Sequence, residues 1–372
     1  MFKKMFKKTQ DWFDERIGLT EVINEFNNER IPRRGGWAYT FGSLLAFLFT
    51  IQVVTGIFLL FYYVPYFPIA RNATYYIKHH VLLGNILLGI HLWGAFTMIF
   101  FLLIHMSRVY FSGAYKKPRE LQWVVGMVLF SVVVILGLTG YMLVGNENSW
   151  WTINVLTNVA SHTPIIGGLL RIVVKGGTET SVITMQHIFA VHVWLLPIVV
   201  ILFIPIHLFL IRKTGHQGMA LEYKNSKLPD DDPNKWIHPD GTVPFFPDQF
   251  FKDMIIALGV FAVVYILAIY VGAPIGPMYR PLALNFAPEA DWYFLANEEL
   301  LKYFPGHGLI IFSTFLVPTI GFIILFALPF IDRGHERSPF KRPAATVLGI
   351  LFLLLLVYLT LIGGEPKAPA TV

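Results

Sequence analysis

The chain has 372 residues, of which 55% are hydrophobic and 14% charged, and its formal net charge is +6. Soluble domains carry about 25% charged residues, so a water-soluble globular protein is excluded and an integral membrane protein is expected. Cysteine is absent, which excludes disulfides, thiolate metal sites and thioether attachment of a prosthetic group to this chain, leaving His or carboxylate for any metal.

The chain begins MFKKMFKK, and no short apolar region with a small-residue cleavage site follows, so no secretory signal is expected. The next stretch, DWFDERIGLTEVINEFNNER, mixes apolar and charged residues as a helix lying in the membrane interface does, making 1–36 an interfacial segment. A hydrocarbon core about 30 Å thick needs roughly 20 apolar residues per helix. By that measure seven spans are predicted, near 38–63, 82–108, 121–144, 184–212, 253–273, 308–331 and 344–363. The first four form a bundle over 37–215, and the last three form a second part over 253–372. Between them 216–252 is rich in Pro, Asp and Lys without a helical period, and reads as a connector. The fold class expected is therefore all-α and integral to the membrane. Residues 145–183 are too short-pieced to span and suggest helices along the opposite surface.

Charge sets the orientation. With seven spans the N-terminus and the 109–120, 213–252 and 332–343 connections share one side, and with the basic residues flanking them they hold 22 of the 29 Lys and Arg. The positive-inside rule makes that side cytoplasmic, and a bacterial inner membrane is the expected location. The positive charge is thus a topology signal, with no case for nucleic acid.

The second span carries His91 and His105, fourteen residues apart, and the fourth carries His192 and His207, fifteen apart. Four helical turns take about 14.4 residues, so each pair projects from nearly one face with about 21 Å between its rings. Pro197 and Pro205 can bend the fourth helix and adjust its register. The two spans run the same way, which sets His91 level with His192 near the outer side and His105 level with His207 near the inner side. Two facing pairs at two depths are what bis-histidine ligation of two stacked haems requires, a state without an open coordination position. Gly42 and Gly56 in the first span, and Gly126 and Gly140 in the third, are also fourteen apart. Lacking Cβ, they permit close backbone approach, Gly42 and Gly126 at the inner level and Gly56 and Gly140 at the outer. For any single one of these positions, ordinary helix packing is the alternative.

Two further clusters stand out. Outside, PEADWYF (Pro288–Phe294) sets the carboxylates Glu289 and Asp291 beside Trp292 and Tyr293. A partly buried carboxylate there would accept a proton from a hydroquinone; the alternative is a solvated loop with an aromatic belt. Inside, Arg108 and Arg212 lie close to the inner histidines, placed to pair with haem propionates. Lys252 and Asp253 open the fifth span, placed to exchange protons with a quinone.

The stretches HMSRVYFSGAYKKPRELQWVVGMVL, GLTGY and HIFAVHVWLLP…HLFLIRKTG resemble cytochrome b of the quinol-oxidising cytochrome bc and b–f complexes, of the chloroplast type in the fifteen-residue spacing. From about 236 on, FFPDQFFKD, DWYFL and PFIDRGHERSPFKRP resemble the separate subunit IV of the b–f complex, here fused to the rest. The resemblance implies two non-covalent b haems, the low-potential one on His91 and His192 and the high-potential one on His105 and His207. It implies quinol oxidation outside at Asp291, Trp292 and Tyr293, walled by Pro164 and Gly167, and quinone reduction inside. It also implies a Rieske iron–sulfur protein and a cytochrome c-type subunit as partners, surrounding lipid, and a homodimeric complex. Several positions depart from the family pattern. Leu88 and His187 stand where arginines usually serve the low-potential haem's propionates, and Asp291 replaces the commoner Glu. Both changes suit a low-potential quinol such as menaquinol. Thr40 occupies the position of the cysteine that anchors an extra haem in b–f complexes, so no covalent haem is expected. A haem-free transporter, or a haem b anchor that reduces quinone for a dehydrogenase, would carry the same histidines; only a quinol oxidase needs the outer acidic segment.

Overall fold

The computed structural model describes residues 2–27, 29–161, 163–215, 242–278, 290–304, 312 and 316–364. Among these, six helices are long and apolar enough to cross a membrane, over Gly36–Leu60, Gly84–Phe111, Glu120–Leu143, Val182–Thr214, Phe245–Tyr270 and Pro343–Gly363. The remaining expected span is represented by the shorter apolar helix Val317–Ile331, with most of 308–316 outside the described residues. Helices are the form such segments take because lipid offers no partner to a backbone N–H or C=O, and an α-helix satisfies them internally.

In chain order the helices are α1 (Phe2–Ile17), α2 (Leu19–Asn27), α3 (Thr40–Leu60), α4 (Phe67–His80), α5 (Gly84–Phe111), α6 (Glu120–Leu143), α7 (Glu147–Ser161) and α8 (Gly167–Lys175). They continue with α9 (Val182–Ala190), a π-helical turn (Val191–Leu195), α10 (Leu196–Thr214), α11 (Phe250–Tyr270), α12 (Leu295–Lys302), α13 (Val317–Ile331) and α14 (Pro343–Gly363). The short helices α7 and α8 occupy the stretch expected to run along the surface.

The chain divides into two compact units, one of Met1–Phe47 with Ile211–Phe261 and one of Leu48–Leu210 with Ala262–Val372. The first contains an element the sequence reading did not anticipate, a two-stranded antiparallel ribbon of β1 (Arg30–Pro32) and β2 (Thr242–Pro244) with Ile31 opposite Val243. Three-residue strands leave no alternation to read. Glu29 beside the ribbon pairs with Arg212 at 3.1 Å, and Phe47 meets Phe261 edge-to-face at 6.1 Å.

In the second unit the late helices are stitched to the early ones. Gly89 of α5 lies against α11, where a Cβ would sit 2.8 Å from the Ala268 Cα; only glycine permits that approach. Trp93 Nε1 donates to the Gly272 carbonyl at 2.9 Å, and Trp123 Nε1 donates to the Leu325 carbonyl at 2.7 Å. A charged knot ties the α5–α6 connection to the α13–α14 connection. Asp332 accepts from Lys116 at 2.6 Å, from Tyr115 at 2.5 Å and from Arg342 at 3.1 Å. Lys116 and Arg342 are buried, and Arg342 also donates to the Phe111 carbonyl at 2.9 Å. Burial alone would push the Asp332 carboxyl up, but the hydrogen bonds from Lys116 and Tyr115 and the Lys116 charge outweigh it and hold it below its ordinary value. Apolar packing around Val132, Leu196 and Val200 brings α6 and α10 together, setting a helix that carries Gly126 and Gly140 against one that carries His207.

Candidate functional site

The two histidine helices solve the same spacing problem differently. In α5 a regular helix sets His91 and His105 fourteen residues apart, about 40° short of four full turns. Fifteen residues of regular helix would overshoot by about 60°. The fourth span avoids this with the π turn Val191–Leu195, in which the Leu196 N–H donates to the Val191 carbonyl. A π turn absorbs one extra residue, so His192 and His207 regain the offset of His91 and His105. Pro197 stands just after it, where its missing N–H removes a donor that a continuous α-helix would use.

At the outer level the imidazoles of His91 and His192 face one another with ring centroids 6.4 Å apart and planes at 70°. A metal ion held between two imidazole nitrogens at about 2.0 Å each leaves centroids about 6 Å apart, so the pair fits an iron ligated from both sides. The glycines make the rings' positions possible. A Cβ on Gly56 would lie 3.3 Å from His91 Cε1, and one on Gly140 would lie 3.0 Å from His192 Cε1. Each outer ring is also held at its far nitrogen. Thr55 Oγ1 lies 2.9 Å from His91 Nδ1, and Thr139 Oγ1 lies 2.9 Å from His192 Nδ1. The sequence reading missed both threonines, although the dipeptide Thr-Gly at 55–56 and 139–140 was there to be seen.

At the inner level His207 lies against Gly126, where a Cβ would come 3.3 Å from its Cε1. His105 and His207 are within electrostatic reach of each other, and the Arg108 charge is felt at His105. Of the other residues assigned to this level, Arg212 is engaged by Glu29 and Gly42 is exposed on α3. Asp253 is buried and accepts from Gln249 Nε2 at 2.8 Å, with Ser43 as a second partner. Lys252 beside it is half-buried.

On the outer side the Tyr293 hydroxyl donates to Asp291 Oδ2 at 2.9 Å. Burial pushes the Asp291 carboxyl up to about 6, a rise tempered by that hydrogen bond, and burial and the Asp291 charge push the Tyr293 phenol up too. The tyrosine therefore keeps its proton and directs it at the carboxylate. Its ring meets Phe96 of α5 at 6.0 Å, and a Cβ on Gly137 of α6 would lie 2.9 Å from its hydroxyl. Gly137 is three residues from Gly140, about 4.5 Å along the helix, so the tyrosine reaches to within one turn of the outer histidine pair. Trp292 packs edge-on against Tyr293 at 5.6 Å. Glu289 lies outside the described residues. Pro164 is exposed, and Gly167 starts α8 where a Cβ would fall 2.2 Å from the Ser161 carbonyl. His187 Nδ1 lies 3.2 Å from the Val173 carbonyl, and Thr40 hydrogen-bonds the Trp37 carbonyl at 2.6 Å.

The family profile described as cytochrome b/b6/petB matches residues 28–215, and the one described as cytochrome b (C-terminal)/b6/petD matches 281–372. The chain is 36% identical to the cytochrome bc complex cytochrome b subunit of Chlorobaculum thiosulfatiphilum, over 93% of this chain and 78% of that one. It is likewise 36% identical to the menaquinol:cytochrome c reductase cytochrome b subunit of Bacillus subtilis, over 58% of this chain and 99% of that one. Among solved structures, a hyperthermophilic respiratory complex III chain superposes with a TM-score of 0.82 at 26% identity, covering 96% of this chain and 92% of that chain.

Proposed function

Because the chain belongs to the cytochrome b/b6 family, as the cytochrome b subunit of a membrane-bound quinol–cytochrome c reductase complex, we propose that it oxidises quinol at its outer face and reduces quinone at its inner face. Two b haems, held non-covalently on His91 with His192 and on His105 with His207, would when bound supply one-electron carriage between the faces, the other electron of each quinol going to a Rieske iron–sulfur protein and a cytochrome c-type subunit. The chain's own work is positioning and proton handling. The glycines admit the imidazole edges, and the apolar helix surfaces exclude water from the paired rings. At the outer face the Asp291 carboxylate takes a quinol hydroxyl proton. Tyr293 keeps that carboxylate oriented and charged by donating to Oδ2. At the inner face Asp253, with Lys252 beside it, passes protons to quinone, and Arg108 neutralises a nearby anion. Menaquinol is the substrate favoured by the losses at 88 and 187 and by the name of the Bacillus relative. The complex works as a homodimer in a bacterial inner membrane with the N-terminus in the cytoplasm.

The observation that supports this reading best is the 6.4 Å approach of His91 and His192 beside a half-buried, hydrogen-bonded Asp291–Tyr293 pair. A reduced-minus-oxidised spectrum and a redox titration of the purified complex test it. Two b-type components are expected, with His91→Ala removing one and His105→Ala the other. Absence of b-type bands in the wild type would overturn it.

A further inference from the structure

Both outer histidines rest on a threonine hydroxyl, and the hydroxyl's own hydrogen-bonding settles what it does. Thr55 Oγ1 donates to the Ile51 carbonyl at 2.7 Å, and Thr139 Oγ1 donates to the Ile135 carbonyl at 2.8 Å. A hydroxyl has one proton, so toward the histidine each oxygen only accepts. His91 Nδ1 and His192 Nδ1, both at 2.9 Å, must therefore carry the ring proton. In a neutral imidazole the other nitrogen, Nε2, is then the one with a free lone pair. Both threonines are buried, so water does not compete for these bonds.

The device repeats and then stops. Thr55 precedes Gly56 and Thr139 precedes Gly140, the glycines that admit these same two rings. At the inner level Val125 precedes Gly126, which admits His207, and Phe41 precedes Gly42. Neither inner glycine follows a hydroxyl-bearing residue, and His207 meets the Gln122 backbone without one. A hydrogen bond accepted from Nδ1–H makes an imidazole a stronger electron donor to its metal and fixes its orientation. A stronger donor favours the oxidised metal.

We infer that Thr55 and Thr139 are a matched pair of positioning residues that hold His91 and His192 as Nε2 ligands and keep the outer haem at a lower potential than the inner one. This rests on the assignment of haems to the two histidine pairs. Electrons entering at the outer face are thereby given a downhill direction toward the inner face by two hydroxyls on one level.

The test is a spectroelectrochemical titration of the intact complex carrying Thr55→Val, Thr139→Val, the double change, and Thr→Ser at each position, with low-temperature electron paramagnetic resonance of the oxidised haems. Each valine variant is expected to move the outer haem to more positive potential and change its resonance, the double variant further, with the inner haem unmoved. Serine is expected to restore both signatures. Loss of the outer haem with valine but not with serine would support the pair equally. Unchanged potentials, an equal shift of both haems, or loss of haem with serine as well would overturn it. A wild type with no b-type components would instead remove the haem assignment, and the inference with it.

Discussion

At the scale of single residues, Asp291 carries the clearest pH signature. Its carboxyl is raised by burial to about 6 and is held from rising further by the Tyr293 hydrogen bond. Only the ionised form accepts a proton, so quinol oxidation is expected to fall as pH drops through about 6. Asp291→Asn is expected to lower the rate by about 10²–10⁴-fold, the usual contribution of a positioned base, and to abolish that acid limb. Tyr293→Phe removes a donor that favours the carboxylate, so the acid limb is expected to move to higher pH. Steady-state quinol oxidation measured across pH in the three proteins checks both. A limb that stays in place in Tyr293→Phe would show that the phenol does not act through Asp291.

At the scale of elements, the two histidine helices show what a spacing can and cannot reveal. Fourteen residues on α5 translate directly into one face because the α-helical period is fixed. Fifteen on the fourth span do not, and the two prolines hinted only at an adjustment, not at its form. The π turn Val191–Leu195 depends on how Pro197 competes with the packing of Leu196 and Val200 against α6, which no local pattern encodes. The Thr-Gly dipeptides at 55–56 and 139–140 were visible, but their role acquires meaning only when the opposing helix is known. The acidic outer segment was legible as a motif, yet its approach to Gly137 was not. A deletion experiment follows. Removing Trp194 together with Pro197→Ala makes the fourth span regular and leaves its histidines fourteen apart, so both haems are expected to be retained. Removing Ala95 from α5 rotates His91 against His105 by about 100°, and one haem is expected to be lost. The ratio of haem to protein after purification reads the outcome.

At the scale of the molecule, the second compact unit is held by polar links between residues far apart in sequence. The knot around Asp332 draws on residues 216 and 217 positions away, which is why it escaped a reading that proceeds span by span. Asp332→Asn leaves Lys116 and Arg342 buried without their counter-charge, and breaking such a pair costs about 3–5 kcal/mol. A lower thermal midpoint in detergent is expected. The carboxyl of the folded protein titrates below its ordinary value, so its stabilisation is present above the unfolded-state value and is lost as pH falls through the folded one. The wild-type midpoint is therefore expected to approach that of the variant in acid, and equal midpoints at neutral pH would show the knot to be inert. Together with the indole bonds of Trp93 and Trp123, the same knot makes backbone continuity between the fourth and fifth spans unnecessary. A protein cut between Gly215 and Thr242 should behave as two polypeptides that find each other in the bilayer. A gene fusion or fission at that point would then leave the assembled particle unchanged.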